Sequence, residues 1–418
     1  MSIYDISGNI ISSAVSYEPA DDDIPTVEIA GTLPTTKDQG DVSITIKYTS
    51  KSDTFTSYAY AKVQGDSSTA YSKKNYTIKL FSDSNRTNKL KKQFRDWDGK
   101  RNKFVLKANF IDHTHSRNIV NARLWTKIVK SRSDYSTLPS ALKKGNIAID
   151  GFPVKVYVGG YYVGIYTWNL PKDSLYGLDD SVDGNAIVQG DSGEYSGSIL
   201  WRASNDSAEK WSDETHDSKP TVITNGFNAL LNFVYTSTDS AFTSNFSTYF
   251  DKQSIIDQYI FLYVALIEDN IGKNQTFFTY NGTFYYGGMY DLDGTWGLPA
   301  FWNTGWTWNA YNVAFQSGYV AVRDGDGTTT NLLYERVGTL FSTDIVSRYR
   351  DLRSSVLNED YIIHEFEKFL YAIPSELFPL EYANPTYIGI PLKYENNISQ
   401  LKDFIPRRLA YVDSQILS

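Results

Sequence analysis

The sequence has 418 residues without a cysteine, and four of its residues are histidine. Without cysteine the chain forms no disulfide bond and no Cys-based zinc site, and it is indifferent to the redox state of its compartment. His113 and His115 are two residues apart, whereas metal ligands on one face of a helix are four apart. The sequence also contains no G-x-S-x-G motif, which argues against a serine hydrolase of that type.

Segments for export or membrane insertion are also missing from the sequence. The first 23 residues have no basic start and no continuous apolar core, so they predict no cleaved signal peptide. No apolar stretch approaches the ~20 residues that are needed to span a bilayer. We therefore expect a soluble protein without a membrane span.

The formal net charge is −8, which argues against a nucleic-acid partner. The longest basic run, Lys89–Lys92, is short and is typical of a solvated loop. Aromatic residues are abundant, and 32 of them are tyrosine. Tyrosine-rich surfaces suit recognition and assembly, but aromatic residues are also favoured in β-strands.

The pattern changes from β-type to helical about halfway along the chain. Residues 1–24 predict an N-terminal arm and residues 25–222 predict a β-rich lobe, because apolar and polar residues alternate there. Within this lobe, residues 180–222 are rich in Ser, Gly and Asp and predict a surface insertion with short strands. Residues 223–417 predict a mainly helical lobe, in which Ser254–Glu268 forms a buried central helix. Strands followed by helices indicate an α+β fold.

The most informative functional signal lies between Asp269 and Gly297. Asp269 and Asn274 are five residues apart, and a β-like aromatic run then leads to Asp291 and Asp293. Phosphoryl transfer from ATP needs a carboxylate that accepts the hydroxyl proton, and an Asn and an Asp that hold the metal. Mg²⁺ prefers oxygen ligands, which these side chains supply. The alternative interpretation is an ordinary hairpin with Asp-Gly turn residues.

Five segments occur in a characteristic order along the chain. They are KKNYTIKL (73–80), FVLKANFIDHTHSRN (104–118), VYVGGYYVGIY (156–166), DLDGTWG (291–297) and FIPRRLAYVDSQI (404–416). Together they resemble the CotH family of spore-coat-type atypical kinases, over roughly residues 25–417. The resemblance implies an atypical protein-kinase-like fold, with a β-rich nucleotide lobe before a helical lobe.

The resemblance also assigns roles to individual residues. It implies Asp269 as the catalytic carboxylate, Asn274, Asp291 and Asp293 as ligands of Mg²⁺ or Mn²⁺, and ATP as the nucleotide. A cation must also bind the nucleotide phosphates. Lys74 and Lys79 point to opposite faces of the predicted strand, and the resemblance favours Lys79, with Lys74 as second choice. Arg117 matches an Arg-Asn pair of the family, and it either binds phosphate, holds Asp269 or bridges to Asp112.

Two features depart from the expected kinase pattern. The sequence has no G-x-G-x-x-G phosphate loop. Members of the family usually carry a Glu a few residues after the strand that here reads GIYTWNLPKD, and Leu170 occupies the corresponding position. If that Glu pairs with the phosphate-binding Lys, its loss weakens the case for turnover. The nearby Asp173 is a candidate substitute, which no pattern in the sequence supports.

Two functions from different classes follow from these observations. The first is a structural protein of a phage-type virion that carries a CotH-like kinase domain with a retained Mg-ATP site. The start MSIYDISGNIIS resembles tail and baseplate proteins of phages of Gram-positive hosts. The alternative is an active Mg-ATP-dependent Ser/Thr kinase that phosphorylates itself or a coat or surface protein.

The two functions imply different partners and locations. The virion function implies other virion or coat protein chains in a larger assembly, with the protein in the phage tail or baseplate. The kinase function implies a protein substrate, with the enzyme in the cytoplasm or in a spore-coat-like layer.

Overall fold

The computed structural model describes two compact units, each built from separated parts of the chain. Unit 1 comprises residues 1–119, 149–171 and 365–399, and unit 2 comprises residues 120–148, 172–364 and 400–418. The described residues are 3–4, 10–12, 24–65, 67–190, 208–267, 269–272, 274–298, 309–313, 331–382 and 398–418. Most of the predicted N-terminal arm and residues 191–207 of the predicted insertion lie outside them.

Unit 1 contains a closed barrel with the strand order β3-β4-β5-β6-β7-β9-β8. Strands β3 and β8 pair in parallel, and the other neighbours pair antiparallel. A separate pair, β1 and β2, comes from the N-terminal arm. The strands are β1 Ile3–Tyr4, β2 Ile10–Ser12, β3 Thr26–Ala30, β4 Val42–Thr49, β5 Thr54–Gln64, β6 Asn75–Phe81, β7 Lys103–Lys107, β8 Gly151–Val158 and β9 Tyr161–Asn169.

Packed side chains fill the interior of the barrel. In β4, Ile44, Ile46 and Tyr48 are buried, while the residues between them are more exposed, as alternation in a half-buried strand requires. The ring of Phe94 packs edge-on against Phe104, with 5.1 Å between the ring centroids. The interior of the barrel is therefore filled by aromatic and aliphatic side chains.

The turn between β8 and β9 follows from its sequence. Gly159 and Gly160 have φ angles of 58° and 86°, which residues with a Cβ rarely adopt. Two successive positive φ angles are typical of the tight turns that join antiparallel strands. The predicted hairpin at this position is confirmed.

Unit 2 contains a four-stranded antiparallel sheet with the order β11-β10-β12-β13. The strands are β10 Ala186–Gly190, β11 Trp211–Asp213, β12 Thr276–Thr279 and β13 Tyr285–Gly288. Every residue of β10 is buried, which requires that both faces of this strand are covered, and β10 lies between β11 and β12 in the sheet. The described part of residues 180–222 contains the short strands β10 and β11, of which β10 is a buried inner strand of the sheet.

The helices of the described residues confirm that the C-terminal part of the chain is mainly helical. They are α1 Arg117–Lys130, α2 Ser140–Lys144, α3 Thr221–Thr236, α4 Asp239–Tyr249, α5 Lys252–Ala265, α6 Asp269–Gly272, α7 Leu332–Leu340, α8 Ser342–Arg353, α9 Glu359–Leu370, α10 Leu377–Tyr382 and α11 Ile398–Ile416. The unit boundary crosses α1, α9 and α11, and α10 belongs to unit 1. Within the described ranges, no helix has both the length and the apolar character to cross a membrane.

Helix α5 is the buried central helix that the sequence predicts. Asp251 caps its first turn by accepting a hydrogen bond from Ser254 N at 2.7 Å, and Leu266 ends it in the left-handed conformation. Ser254 Oγ accepts from Gly287 N at 2.9 Å, and Gln258 Nε2 donates to the carbonyl of Gly288 at 2.8 Å. Helix α5 therefore holds the C-terminal end of β13 in place.

Candidate functional site

Three of the predicted site residues meet at one end of the β12–β13 hairpin in unit 2. Asn274 lies two residues before β12, and Asp291 lies three residues after β13. The two strands are antiparallel and Thr276 is opposite Gly288, so the start of β12 and the end of β13 are neighbours. Asn274 and Asp291 lie beside these two strand ends. Asp269 opens the short helix α6 that leads into β12.

A single amide joins the two carboxylates. Asn274 Nδ2 donates to Asp269 Oδ2 at 2.6 Å and lies 3.5 Å from Asp291 Oδ2. Asn274 is buried, and both carboxylates are partly buried. We call Asp269, Asn274 and Asp291 the acidic group. The structure thus brings together the residues predicted as proton acceptor and as two of the metal ligands.

The backbone around the acidic group is held in an unusual conformation. Asn274 and Asp291 have φ angles of 58° and 57°, a region that costs energy for residues other than glycine and is often found at functional sites. Asn270 Nδ2 donates to the carbonyl of Tyr290 at 2.6 Å and to that of Asn274 at 3.4 Å. Asn270 therefore ties the segment before Asp291 to the segment before β12.

The segment after Asp291 is anchored by buried hydrogen bonds within unit 2. Trp296 Nε1 donates to Asn121 Oδ1 at 2.8 Å, and Gln400 Nε2 donates to the Trp296 carbonyl at 2.8 Å. Trp296 is fully buried, so its role is packing, as predicted. The carbonyl of Asp293 accepts from Thr295 N at 3.1 Å, and the role of the Asp293 carboxylate as a metal ligand stays a prediction.

The oxygen atoms of the acidic group suit Mg²⁺ better than a metal ion whose ligands all come from the protein. In the described part of the chain, no group of three or more His, Asp or Glu side chains is arranged to hold a metal ion. Mg²⁺ is commonly held by one or two carboxylates, with substrate phosphates and water as the remaining ligands. Two converging carboxylates and one amide are a donor set of that kind.

The lysines proposed for phosphate binding lie in unit 1, and each has a partner there. Lys79 faces outwards from β6, and its ammonium lies 2.9 Å from Asp41 Oδ2. Lys74 precedes β6 and donates to the backbone carbonyls of Thr69 and Tyr71. Lys79 is thus in a surface ion pair and Lys74 holds a local turn, and their phosphate roles stay predictions.

A different lysine of the same segment is buried beside a glutamate. Lys73 Nζ lies 2.9 Å from Glu381 Oε2 and donates to the Ile165 carbonyl at 2.5 Å. Both side chains of the ion pair are 2% exposed. Burial lowers the pKa of Lys73 from its usual value, while the charge of Glu381 acts in the opposite direction. Protein kinases also pair a lysine with a glutamate, but their lysine lies on a strand, whereas Lys73 precedes β6.

Strand β9 leaves room for this ion pair because it has a glycine at position 164. A Cβ on Gly164 would overlap Glu381 Oε1 and would lie 3.1 Å from Lys73 Cε, and its φ angle of 133° is strained for other residues. His115 is buried beside the pair, with Nε2 3.9 Å from Glu381 Oε2. Burial and the positive charge of Lys73 hold the pKa of His115 well below its usual value, so the imidazole is neutral.

Arg117 forms an ion pair within its own loop. Its Nη1 lies 2.5 Å from Asp112 Oδ1, and its backbone N donates to Asp112 Oδ2 at 2.7 Å. Thr114 also donates to Asp112. The bridge to Asp112, one of the roles considered for Arg117, is present in the structure, and it fixes the turn that begins α1.

The Lys73–Glu381 pair was missed by sequence reasoning. Lys73 belongs to the KKNYTIKL segment, but Lys73 and Lys74 both precede β6, which begins at Asn75. The predicted strand alternation between Lys74 and Lys79 is therefore wrong for Lys74, and it gives no information about Lys73. Glu381 lies 308 residues further along the chain, and no local pattern connects the two. Leu170, which replaces the expected Glu, is buried in the barrel core. The acidic partner of a buried lysine is therefore present, but it comes from α10.

Comparison with known families agrees with these observations. The family model described as CotH kinase protein matches residues 61–412, which include the acidic group and the Lys73–Glu381 pair. The chain therefore belongs to the CotH kinase protein family. The curated proteins contain no significant match to it.

Proposed function

We propose that the protein binds Mg²⁺-ATP and transfers its terminal phosphoryl group to a protein hydroxyl. The observation that carries this proposal is the hydrogen bonding of one amide, that of Asn274, to Asp269 and towards Asp291. Protein kinases use an Asp, an Asn and a second Asp to accept the hydroxyl proton and to hold the metal, and the three residues of the acidic group are of these types. Membership in the CotH kinase protein family supports the same activity.

Each residue of the acidic group has a separate role in this proposal. Asp291 and Asn274 hold the cation, which when bound neutralises charge on the phosphates. Asp269 accepts the proton of the attacking hydroxyl and orients that oxygen. Asn270 and Trp296 keep the two metal ligands in place through the hydrogen bonds of their segments. Partial burial of the carboxylates strengthens these electrostatic interactions relative to water.

We also propose that the two units correspond to the two lobes of a kinase-like fold. Unit 1 is β-rich and carries the buried Lys73–Glu381 pair, which has the residue types of the lysine–glutamate pair of protein kinases. Unit 2 carries the helices and the acidic group. The described part of the chain offers no observation that favours the virion role, and that role stays a prediction.

Calorimetric titration of Mg²⁺-ATP into the full chain tests nucleotide binding. We expect binding that requires Mg²⁺ and is lost in the double variant Asp291→Asn/Asp293→Asn. The matched control is Asp180→Asn, which makes the same change at an exposed position of unit 2 and should bind as the parent does. A folded parent that binds no nucleotide would contradict the proposal.

Transfer of labelled phosphate separates catalysis from binding. Asp269→Asn should still bind Mg²⁺-ATP, because the other metal ligands are retained, but should lose phosphate transfer by about 100-fold or more. The assay follows label from ATP into the chain itself and into an added protein substrate. Unchanged transfer by this variant would remove Asp269 from the proton-transfer step.

A further inference from the structure

Gln189 connects the acidic group to a charged pair within unit 2. It lies on β10 opposite Thr276 of β12, which places its buried side chain beside Asn274. Gln189 Nε2 donates to Asn274 Oδ1 at 3.1 Å, and Gln189 Oε1 accepts from Lys172 Nζ at 3.2 Å. Lys172 Nζ also lies 2.7 Å from Glu214 Oε2. A chain of hydrogen bonds therefore runs from the charged pair to Asn274.

The amide of Asn274 is turned with its nitrogen towards the carboxylates. This orientation stabilises the cation-free protein, because the N–H groups of Asn274 face the negatively charged carboxylates of Asp269 and Asp291. An amide nitrogen donates hydrogen bonds and does not bind Mg²⁺, whereas the amide oxygen is a suitable ligand. Asn274 must therefore turn its amide by about half a revolution to serve as a metal ligand, which directs its nitrogen towards Gln189.

We propose that Gln189 is a positioning residue that controls this turn of the Asn274 amide. The inference rests on the proposed role of the acidic group in binding Mg²⁺. A glutamine amide both donates and accepts, so Gln189 is able to turn as well and offer its oxygen to Asn274. The hydrogen bond from Lys172 to the Gln189 oxygen opposes that turn. When this bond breaks, Lys172 still has its ion pair with Glu214. The chain of hydrogen bonds thus favours the cation-free orientation of the Asn274 amide. When Mg²⁺ binds, the amides of Asn274 and Gln189 both turn.

The variant Gln189→Glu separates the two orientations. A carboxylate only accepts hydrogen bonds, so Asn274 then has to turn its nitrogen towards Glu at position 189 and its oxygen towards Asp269 and Asp291. Calorimetric titration with Mg²⁺ alone should show binding that is tighter by about tenfold. A hydrogen bond at position 189 then favours the metal-binding orientation of Asn274, and one hydrogen bond is worth about this factor. The added negative charge also attracts Mg²⁺, so that contribution needs its own control.

The background variant Asn274→Gly measures the effect of charge alone. Glycine adopts the φ angle of 58° at this position without strain, and it has no amide to turn. Gln189→Glu should increase Mg²⁺ affinity about tenfold more in the presence of Asn274 than in its absence. Equal increases in the two backgrounds would overturn the proposal.

The side-chain amide signal of Asn274 gives a second readout that does not depend on metal. It is observed in protein labelled with ¹⁵N at asparagine, and is assigned by its loss in Asn274→Gly. Without Mg²⁺, the signal in Gln189→Glu should move away from its parent position. If the parent binds Mg²⁺, this move should be towards the position that Mg²⁺ produces in the parent. An unmoved signal would overturn the role of Gln189. A parent that binds no Mg²⁺ would instead contradict the proposed function, and the metal-free comparison would still decide this inference.

Discussion

Removal of one member of the Lys73–Glu381 pair should destabilise the protein far more than removal of both. Each side chain is 2% exposed, so a single replacement leaves the other charge buried without its counter-ion. Such changes destabilise proteins by about 3–5 kcal/mol. We expect losses of this size in the free energy of unfolding for Lys73→Met and for Glu381→Gln. The double variant should be within about 2 kcal/mol of the parent, because the remaining groups are neutral.

The assay is urea unfolding at pH 7, followed by tryptophan fluorescence, over the complete double-mutant cycle. The Lys47–Glu28 pair of the same unit is a matched control, with the same residue types and the same separation of 2.9 Å, but with about half of each side chain exposed. Its single variants, Lys47→Met and Glu28→Gln, should cost about 1 kcal/mol or less. Similar small losses in both cycles would refute the reasoning, since burial would then make no difference.

Three further changes test other parts of the structure. Gly164→Ala should destabilise the protein by more than about 1 kcal/mol in the same assay, because the added Cβ overlaps Glu381 and the φ angle is unfavourable. Burial lowers the pKa of His113 to about 4, so the unfolded chain takes up a proton first as the pH falls. The free energy of unfolding should therefore decrease by up to about 3 kcal/mol between pH 6.5 and pH 4, and His113→Gln should flatten this slope. Asn121→Ala removes buried hydrogen bonds to the 291–297 segment and should weaken Mg²⁺ binding in calorimetry, while equal affinity would show that the segment holds its position without them.

The acidic group could be predicted because its members are brought together by local structure. A hairpin of short sequence separation joins Asn274 to Asp291, and α6 supplies Asp269 just before it. For the members of the acidic group, closeness in the sequence therefore corresponds to closeness in the fold. The same holds for the alternating strands of the barrel and for the apolar helix α5, whose patterns depend on neighbouring residues alone.

Other parts of the fold and site depend on contacts that spacing does not reveal. Residues 180–222 have the composition of a surface loop, yet Ala186–Gly190 form a central strand because β11 and β12 lie on its two sides. The pairing of Lys73 with Glu381 joins β9 and the segment before β6 to α10 within unit 1. The division of the chain into units is likewise set by such long-range contacts, so it does not follow the order of the sequence.

The separation of the two buried polar arrangements into different units allows their functions to be tested independently. The acidic group and Gln189 belong to unit 2, and binding of Mg²⁺ alone reports on them. The Lys73–Glu381 pair belongs to unit 1, and the cycle of unfolding measurements reports on it without any ligand. If Lys73→Met/Glu381→Gln folds with nearly parent stability and binds Mg²⁺ as the parent does, yet binds Mg²⁺-ATP more weakly, the pair acts on the nucleotide. If it binds Mg²⁺-ATP as the parent does, the pair serves the barrel alone, and the phosphates are held by other groups.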